Sequence, residues 1–199
     1  MVVAGRRYAC RVDDVELDAM RVAWATIQAR YQAYELFLPG DPSFMCQPHV
    51  CDAHCCRKFS VSVGEEERLR MERETGLTPI QFLECEDGEP IALPMLRPYL
   101  LRRSEKESRC AMLGDGLECT VYTGRPDACR QYPYQVLFPA RARGLDRDEA
   151  TRALRPGVHD VALLVRHIEC PGFTGPPIPE DLWHSLRQTT FELQGGPVR

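Results

Sequence analysis

Lysine is nearly missing from this chain. Lys58 and Lys106 are the only two, so almost all the positive charge is arginine. Arginine pairs with anions bidentately and neither gives nor takes a proton near neutral pH. A basic surplus is missing too. The net charge is −4, and nothing in that balance points to the clustered Lys and Arg surface that nucleic acid demands. No stretch approaches the ~20 apolar residues of a membrane span. The segment from Met1 to Cys10 has no apolar core of a secretion signal, and Cys10 lacks the apolar run of a lipoprotein signal. The expectation is a cytoplasmic protein that touches neither membrane nor nucleic acid. Internal repeats, low-complexity tracts and obvious linkers are also missing. No Gly-x-Gly-x-x-Gly follows a strand-like run, and no C-x-x-x-C-x-x-C or C-x-x-C occurs in the first cysteine cluster. These gaps remove the signatures of a dinucleotide fold, a radical methyl-donor enzyme and a simple redox dithiol.

What remains is an ordinary globular chain with unusual cysteines. At 199 residues, 44% hydrophobic and 27% charged, it suits a single domain over 1–199. Residues Asp14 to Leu38 read as one helix, because Leu17, Met20, Trp24, Ile27, Tyr31, Tyr34 and Leu38 recur in steps of three and four. Asp13 and Glu16 form its capping pair, and Pro39-Gly40-Asp41-Pro42 ends it. Phe59 to Val63 alternates like a strand. Ser62 with Glu65 caps a helix through Arg73, with Gly76 at its C-terminal glycine position. Thr78-Pro79 starts a helical turn. From Tyr99 the pattern is strand-like, with a hairpin around Gly114-Asp115-Gly116 that brings Cys110 toward Cys119. Pro126 to Arg130 makes a helical turn that carries Cys129. Arg141 to Arg155 reads as a solvated segment, Val158 to Ile168 as a strand with a helix not excluded, and Pro179 opens a last helix with Leu182, Trp183 and Leu186 inward. Together these give an α+β fold, helical at both ends, around an irregular centre.

The ten cysteines decide the chemistry. Disulfides are disfavoured in a reducing compartment, so clustered thiols read first as metal ligands. Cys46, Cys51, Cys55 and Cys56 crowd into eleven residues, and short gaps let one loop converge on an ion. The adjacent pair Cys55 and Cys56 points toward a polynuclear centre, because neighbouring side chains diverge. Cys110, Cys119, Cys129 and Cys170 are spaced more widely, as for ligands assembled by the fold, and Cys170-Pro171 matches the Cys-Pro common at iron–sulfur sites. Cys10 and Cys85 read as plain small hydrophobes; acidic neighbours of Cys85 oppose its thiolate. His49 and His54 read as exposed loop residues, with replacement of one thiolate as the alternative. His159, His167 and His184 have no telling spacing. Arg125 and Arg130 bracket Cys129. They serve either to offset thiolate charge from outside the ligand set or simply to pack the Pro126 turn.

Phe44 through Phe59, Cys110, the run Cys119-x2-Tyr122-x2-Arg125-Pro126-x2-Cys129-Arg130-x-Tyr132-Pro133, and Cys170-Pro171-Gly172 together resemble the YkgJ-type cysteine-cluster family, also known as the zinc- or iron-chelating CxxCxxCC domain. The resemblance covers roughly 46–172. One departure is that the first cluster has gaps of four and three where the family's name has two and two. The resemblance implies Cys46, Cys51, Cys55, Cys56, Cys110, Cys119, Cys129 and Cys170 as metal ligands. One branch of the family is similar to flagellin lysine N-methylases.

Three functions follow as expectations. The first is an iron–sulfur protein with a redox or oxidoreductase-like role and an unidentified protein or redox partner. The second is a structural or interaction protein stapled by zinc. The third is a protein lysine N-methylase-like enzyme, supported by analogy alone.

Overall fold

The computed structural model describes residues 13–104, 108–139 and 161–195. Cys10, Lys106, His159, most of the Arg141 to Arg155 stretch's surroundings and that stretch itself lie outside the described residues, as do 158–160 of the expected strand. Chain contacts divide the molecule into two compact units. One comprises Met1–Phe44, Tyr134–Ile168 and Thr174–Arg199; the other comprises Met45–Pro133 and Glu169–Phe173.

In the first unit, helix α1 (Asp14–Ile27) begins where Asp13 Oδ1 accepts from the Glu16 backbone N–H at 2.8 Å. Met20 and Ile27 are buried on its inner stripe. The expected extension to Leu38 fails. After a 3-10 turn at Gln28–Arg30 the chain runs into strand β1 (Tyr34–Leu36) and then β2 (Pro42–Phe44). The helical spacing of Tyr31, Tyr34 and Leu38 gives way because aromatic residues sit as well in a strand, and a sheet partner decides between the two. That partner arrives late in the chain.

The second unit carries short helices α2 (Pro48–Cys51) and α3 (His54–Lys58), then strand β3 (Ser62–Val63). Helix α4 (Glu65–Thr75) ends at Gly76, whose φ of +70° is the left-handed conformation a glycine adopts without strain. Its N-terminus is displaced from the expected Ser62 cap. Gly64 is the cap residue, and Glu67 Oε2 accepts the Gly64 N–H at 2.7 Å. Helix α5 (Pro79–Phe82) starts at Thr78-Pro79 as expected, with Gln81 accepting from the Thr78 N–H. Strands β4 (Cys85–Glu86) and β5 (Glu89–Pro90) form a hairpin across Asp87-Gly88, both left-handed. Strand β6 (Tyr99–Leu100) pairs with β3, and helix α6 (Asp127–Gln131) carries Cys129. Val63, Met71, Phe82, Leu83, Leu101, Met112 and Val121 make one buried cluster.

The remaining elements are β7 (Tyr134–Leu137), β8 (Leu163–His167), β9 (Phe173–Pro177) and α7 (Glu180–Leu193). β8 is the central strand of an antiparallel sheet in the order β1-β8-β7, with Leu36 opposite Val165 and Leu137 opposite Leu163. Leu163, Leu164 and Val165 are consecutive and fully buried, as a strand covered on both faces requires. β2 pairs with β9. On α7 Trp183 is fully buried and its indole N–H donates to Phe37 O at 2.9 Å. Leu182, expected inward, is 56% exposed, because a neighbour on a helix is turned by about 100°.

The α+β character with helices near both ends is as expected. The organising metal is not. Among the described residues no group of three or more Cys, His, Asp or Glu side chains is placed to hold a metal ion. The irregular second unit is held instead by its apolar cluster and by polar anchors.

Candidate functional site: a set of thiols

Every described cysteine is a free thiol and lies in the second unit. Local structure sets the position of each. Cys46 is exposed on the segment after β2, where the Met45 N–H donates to Gly172 O and so keeps this segment beside the one that bears Cys170. Cys51 closes α2. Asp52 and Ala53 then both adopt φ +49°, which breaks the helix before α3 begins. Non-glycine residues in this region cost roughly 1–2 kcal/mol each, and such strain collects at functional sites. Cys55 and Cys56 occupy the first turn of α3.

Two arginines and one carboxylate position the rest. Arg103 donates to Phe59 O and to Arg57 O, at 2.7 and 2.6 Å, and so holds the end of α3. The Cys110 N–H donates to Cys56 O at 2.7 Å. Glu67, 4% exposed, accepts from the Asp127 N–H at 2.7 Å, while Arg70 donates to Asp127 Oδ1 and to Arg125 O. These bonds join α4 to the Arg125-Pro126-Asp127 turn that sets Cys129 and the Arg125 guanidinium. Gly124 makes the close approach possible. A Cβ there would meet Thr75, Glu74 and Met71 atoms at 3.2 to 3.4 Å. The expected turn after Cys110 is present, with Gly114 N–H donating to Glu118 O and Leu113 bridged to Cys119.

The thiols act on one another electrostatically. Cys56 donates its thiol hydrogen to the Cys55 sulfur, and that bond is the main cause of a Cys55 thiol lowered to about 7; Arg125 assists. The same bond, with burial, pushes Cys56 upward. Cys129 is pushed up to about 12 by burial and by the charges Cys110, Cys119 and Cys55 would carry. Burial also raises Cys46, Cys110, Cys119 and Cys170. Backbone amides oppose it at three of them. Met112 N–H points to Cys110, Val121 N–H to Cys119 and Gly172 N–H to Cys170. Each donor lies two residues beyond its sulfur. Tyr132 also donates to Cys170, and its own hydroxyl is raised chiefly by burial.

The geometry corrects the expected iron–sulfur cluster, and the zinc alternative with it. The donors do not close to ligand distance around any point among the described residues. The redox or oxidoreductase-like iron–sulfur function, the zinc-stapled role and the methylase-like role that leaned on the same centre fall with it.

The other expected residues divide. Arg125 stacks on the Tyr122 ring at 3.7 Å and donates to Tyr122 O, and its charge favours thiolate at Cys46, Cys55, Cys119 and Cys129. Arg130 lies 3.7 Å from Asp127. His49 is exposed as expected. His54 is not; it opens α3 with Nε2 3.1 Å from Glu169 Oε2 and 22% of its side chain exposed. Cys85 stands on β4 with its thiol toward Leu83 O. Sequence reasoning missed Tyr132 and Glu169 as neighbours of the thiols. Their signal was adjacency to Pro133 and Cys170.

The chain matches one family model, CxxCxxCC, described as "Putative zinc- or iron-chelating domain", over residues 45–154. No curated protein and no solved structure matches it.

Proposed function

This chain belongs to the CxxCxxCC family, and on that premise we propose that its working part is a set of free thiols headed by Cys55, acting by thiol–disulfide exchange. The family's description names zinc or iron. The donors present here do not fit such an ion, so no step runs through one. The set comprises Cys46, Cys51, Cys55, Cys56, Cys110, Cys119, Cys129 and Cys170. The observations that carry the reading are that every described cysteine is a free thiol in one unit and that Cys55 sits in the first turn of α3 beside Cys56, whose thiol lowers that of Cys55.

A thiolate is the attacking form of cysteine. The Cys55 thiolate attacks one sulfur of a disulfide. A bond forms from Cys55 to that sulfur, the substrate's S–S bond breaks, and the other half leaves as thiolate. A second protein thiol then attacks the Cys55 sulfur and releases the first half, so two electrons pass from two protein thiols to the substrate. Cys56 is not the second thiol. Adjacent Cα atoms lie about 3.8 Å apart, shorter than the roughly 4.4–6.8 Å of an ordinary disulfide; Cys56 serves as donor to the thiolate. The resolving thiol comes from the others that face Cys55. Among the described residues no helix is long and apolar enough to cross a membrane, and a reducing, cytoplasmic setting would keep the set free.

The test is brief exposure to a neutral disulfide, hydroxyethyl disulfide, followed by mass mapping. A mixed disulfide at Cys55, converting to an internal disulfide between Cys55 and a distant cysteine, supports the reading. Uniform labelling of all thiols contradicts it. So does stoichiometric zinc or iron in the purified protein with no thiol open to reaction.

A further inference from the structure

The short segment Glu169–Phe173 joins the thiol-bearing unit from far along the chain, and α3 is what it docks on. The Glu169 carboxylate lies 3.1 Å from His54 Nε2 and 3.5 Å from Lys58 Nζ. His54 opens α3 and Lys58 ends it. The two are one turn apart and share a face of the helix, so Glu169 lays its segment along that face. The Met45 N–H, donating to Gly172 O at 2.6 Å, ties the segment again beyond Pro171.

This docking selects among the thiols. Successive helical residues turn by about 100°, which sets Cys55 about 80° from the middle of the His54–Lys58 face and Cys56 about 180° from it, on the opposite side. Rings close the same face. His54 meets Phe59 edge-on at 5.7 Å, and Phe59 meets Tyr132 at 5.6 Å. The Tyr132 hydroxyl donates to the Cys170 sulfur. His54, Glu169, Cys170, Tyr132 and Phe59 thus form a closed circuit of neighbours beside Cys55. Cys170 is half-buried rather than sealed in, and a charge on Cys55 acts on it.

We infer that Cys170 is the thiol that resolves a mixed disulfide on Cys55, with Glu169 as the residue that positions it. The inference rests on the exchange reading and names the pair within it. The Cys170 thiol gives its proton to solvent and its sulfur attacks the Cys55 sulfur. A Cys55–Cys170 bond forms, the bond from Cys55 to the substrate half breaks, and that half leaves with the electron pair and takes up a proton. Two protein thiols have then been oxidised, and one substrate disulfide has been reduced to two thiols.

The test is a time course. The full chain, Cys170→Ser and Glu169→Gln are each exposed to hydroxyethyl disulfide, quenched with acid at intervals and mapped by mass spectrometry. In the full chain the Cys55 mixed disulfide is expected to appear first and to convert to a Cys55–Cys170 disulfide. In Cys170→Ser it is expected to accumulate without converting. In Glu169→Gln the conversion, taken relative to formation of the mixed disulfide, is expected to slow about threefold, the worth of partly exposed ion pairs; an unchanged ratio overturns the role of Glu169. An internal disulfide from Cys55 to any other cysteine, formed equally in Cys170→Ser, overturns Cys170 and leaves the exchange reading standing. Absence of any mixed disulfide at Cys55 overturns that reading and this inference together. Should Cys170→Ser fail to fold, the map of the full chain decides the pair by itself.

Discussion

In the sheet-bearing unit Phe37, Leu163, Leu164, Val165 and Trp183 are all fully buried, and the side-chain hydrogen bond among them runs from the Trp183 indole N–H to Phe37 O. The thiol-bearing unit has its own apolar cluster around Met71, Phe82 and Leu83, but its strands are only two residues long. Its loops are fixed by single polar anchors: Glu67 on the Asp127 amide, Arg70 on Asp127 and Arg103 on the end of α3. Burial without direction suffices to build a scaffold. Directional bonds are needed where side chains must be aimed at one another, and the sulfurs are in that second unit.

That contrast is sharpened first by Trp183→Ala. Removing a fully buried indole is expected to cost about 3–5 kcal/mol in denaturant unfolding. A loss below about 1 kcal/mol would break the claim that apolar burial holds the first unit. Next, Glu67→Ala leaves the Asp127 and Gly64 amides without their acceptor and takes one carboxylate from Arg97, which keeps Asp127 at 3.8 Å. The expected loss is about 3 kcal/mol, because a buried charge network is broken on one side. If the variant unfolds like the parent, the polar anchors are incidental.

The smaller effects concern reactivity. Cys56→Ala removes the donor that favours thiolate at Cys55, so the Cys55 thiol must rise. At pH 7 its alkylation by iodoacetamide is expected to slow about fivefold for a rise of about one unit, as the thiolate fraction falls from about one half to about one tenth. An unchanged rate would dismiss the Cys56 bond. Arg125→Gln removes a charge that acts at longer range and closer to solvent. Its expected effect is about threefold in the same direction, and added salt should shrink the difference between parent and variant.

Those predictions mark where sequence reading succeeded and where it stopped. Local signals were legible. Gly76, Thr78-Pro79 and the Gly114 turn each announce backbone geometry through one residue type, and all three stand where expected. β8 was legible from its run of apolar residues. The end of α1 was not, because Tyr34 and Leu36 become a strand only through pairing with His167 and Val165, more than a hundred residues away. The Asp87-Gly88 turn that joins β4 to β5 carries a plain local signal of the same kind. For the site, spacing carries no information on how the sulfurs point. The left-handed Asp52 and Ala53 turn α3 away from α2, and no residue type in that stretch betrays it. A C-x-x-C is a local signature of a redox dithiol; thiols brought near Cys55 from distant segments carry no such signature.

The measurement that bears most directly on the account is the pH profile of Cys55 alkylation, followed by mass spectrometry at that one residue. The thiolate reacts and the thiol does not, so the rate must climb with pH and level off above the thiol's pKa. With Cys55 lowered to about 7, the account predicts a half-maximal rate near pH 7 and a plateau by about pH 8. A rate still climbing through about pH 8.5, as for an ordinary thiol, would contradict it.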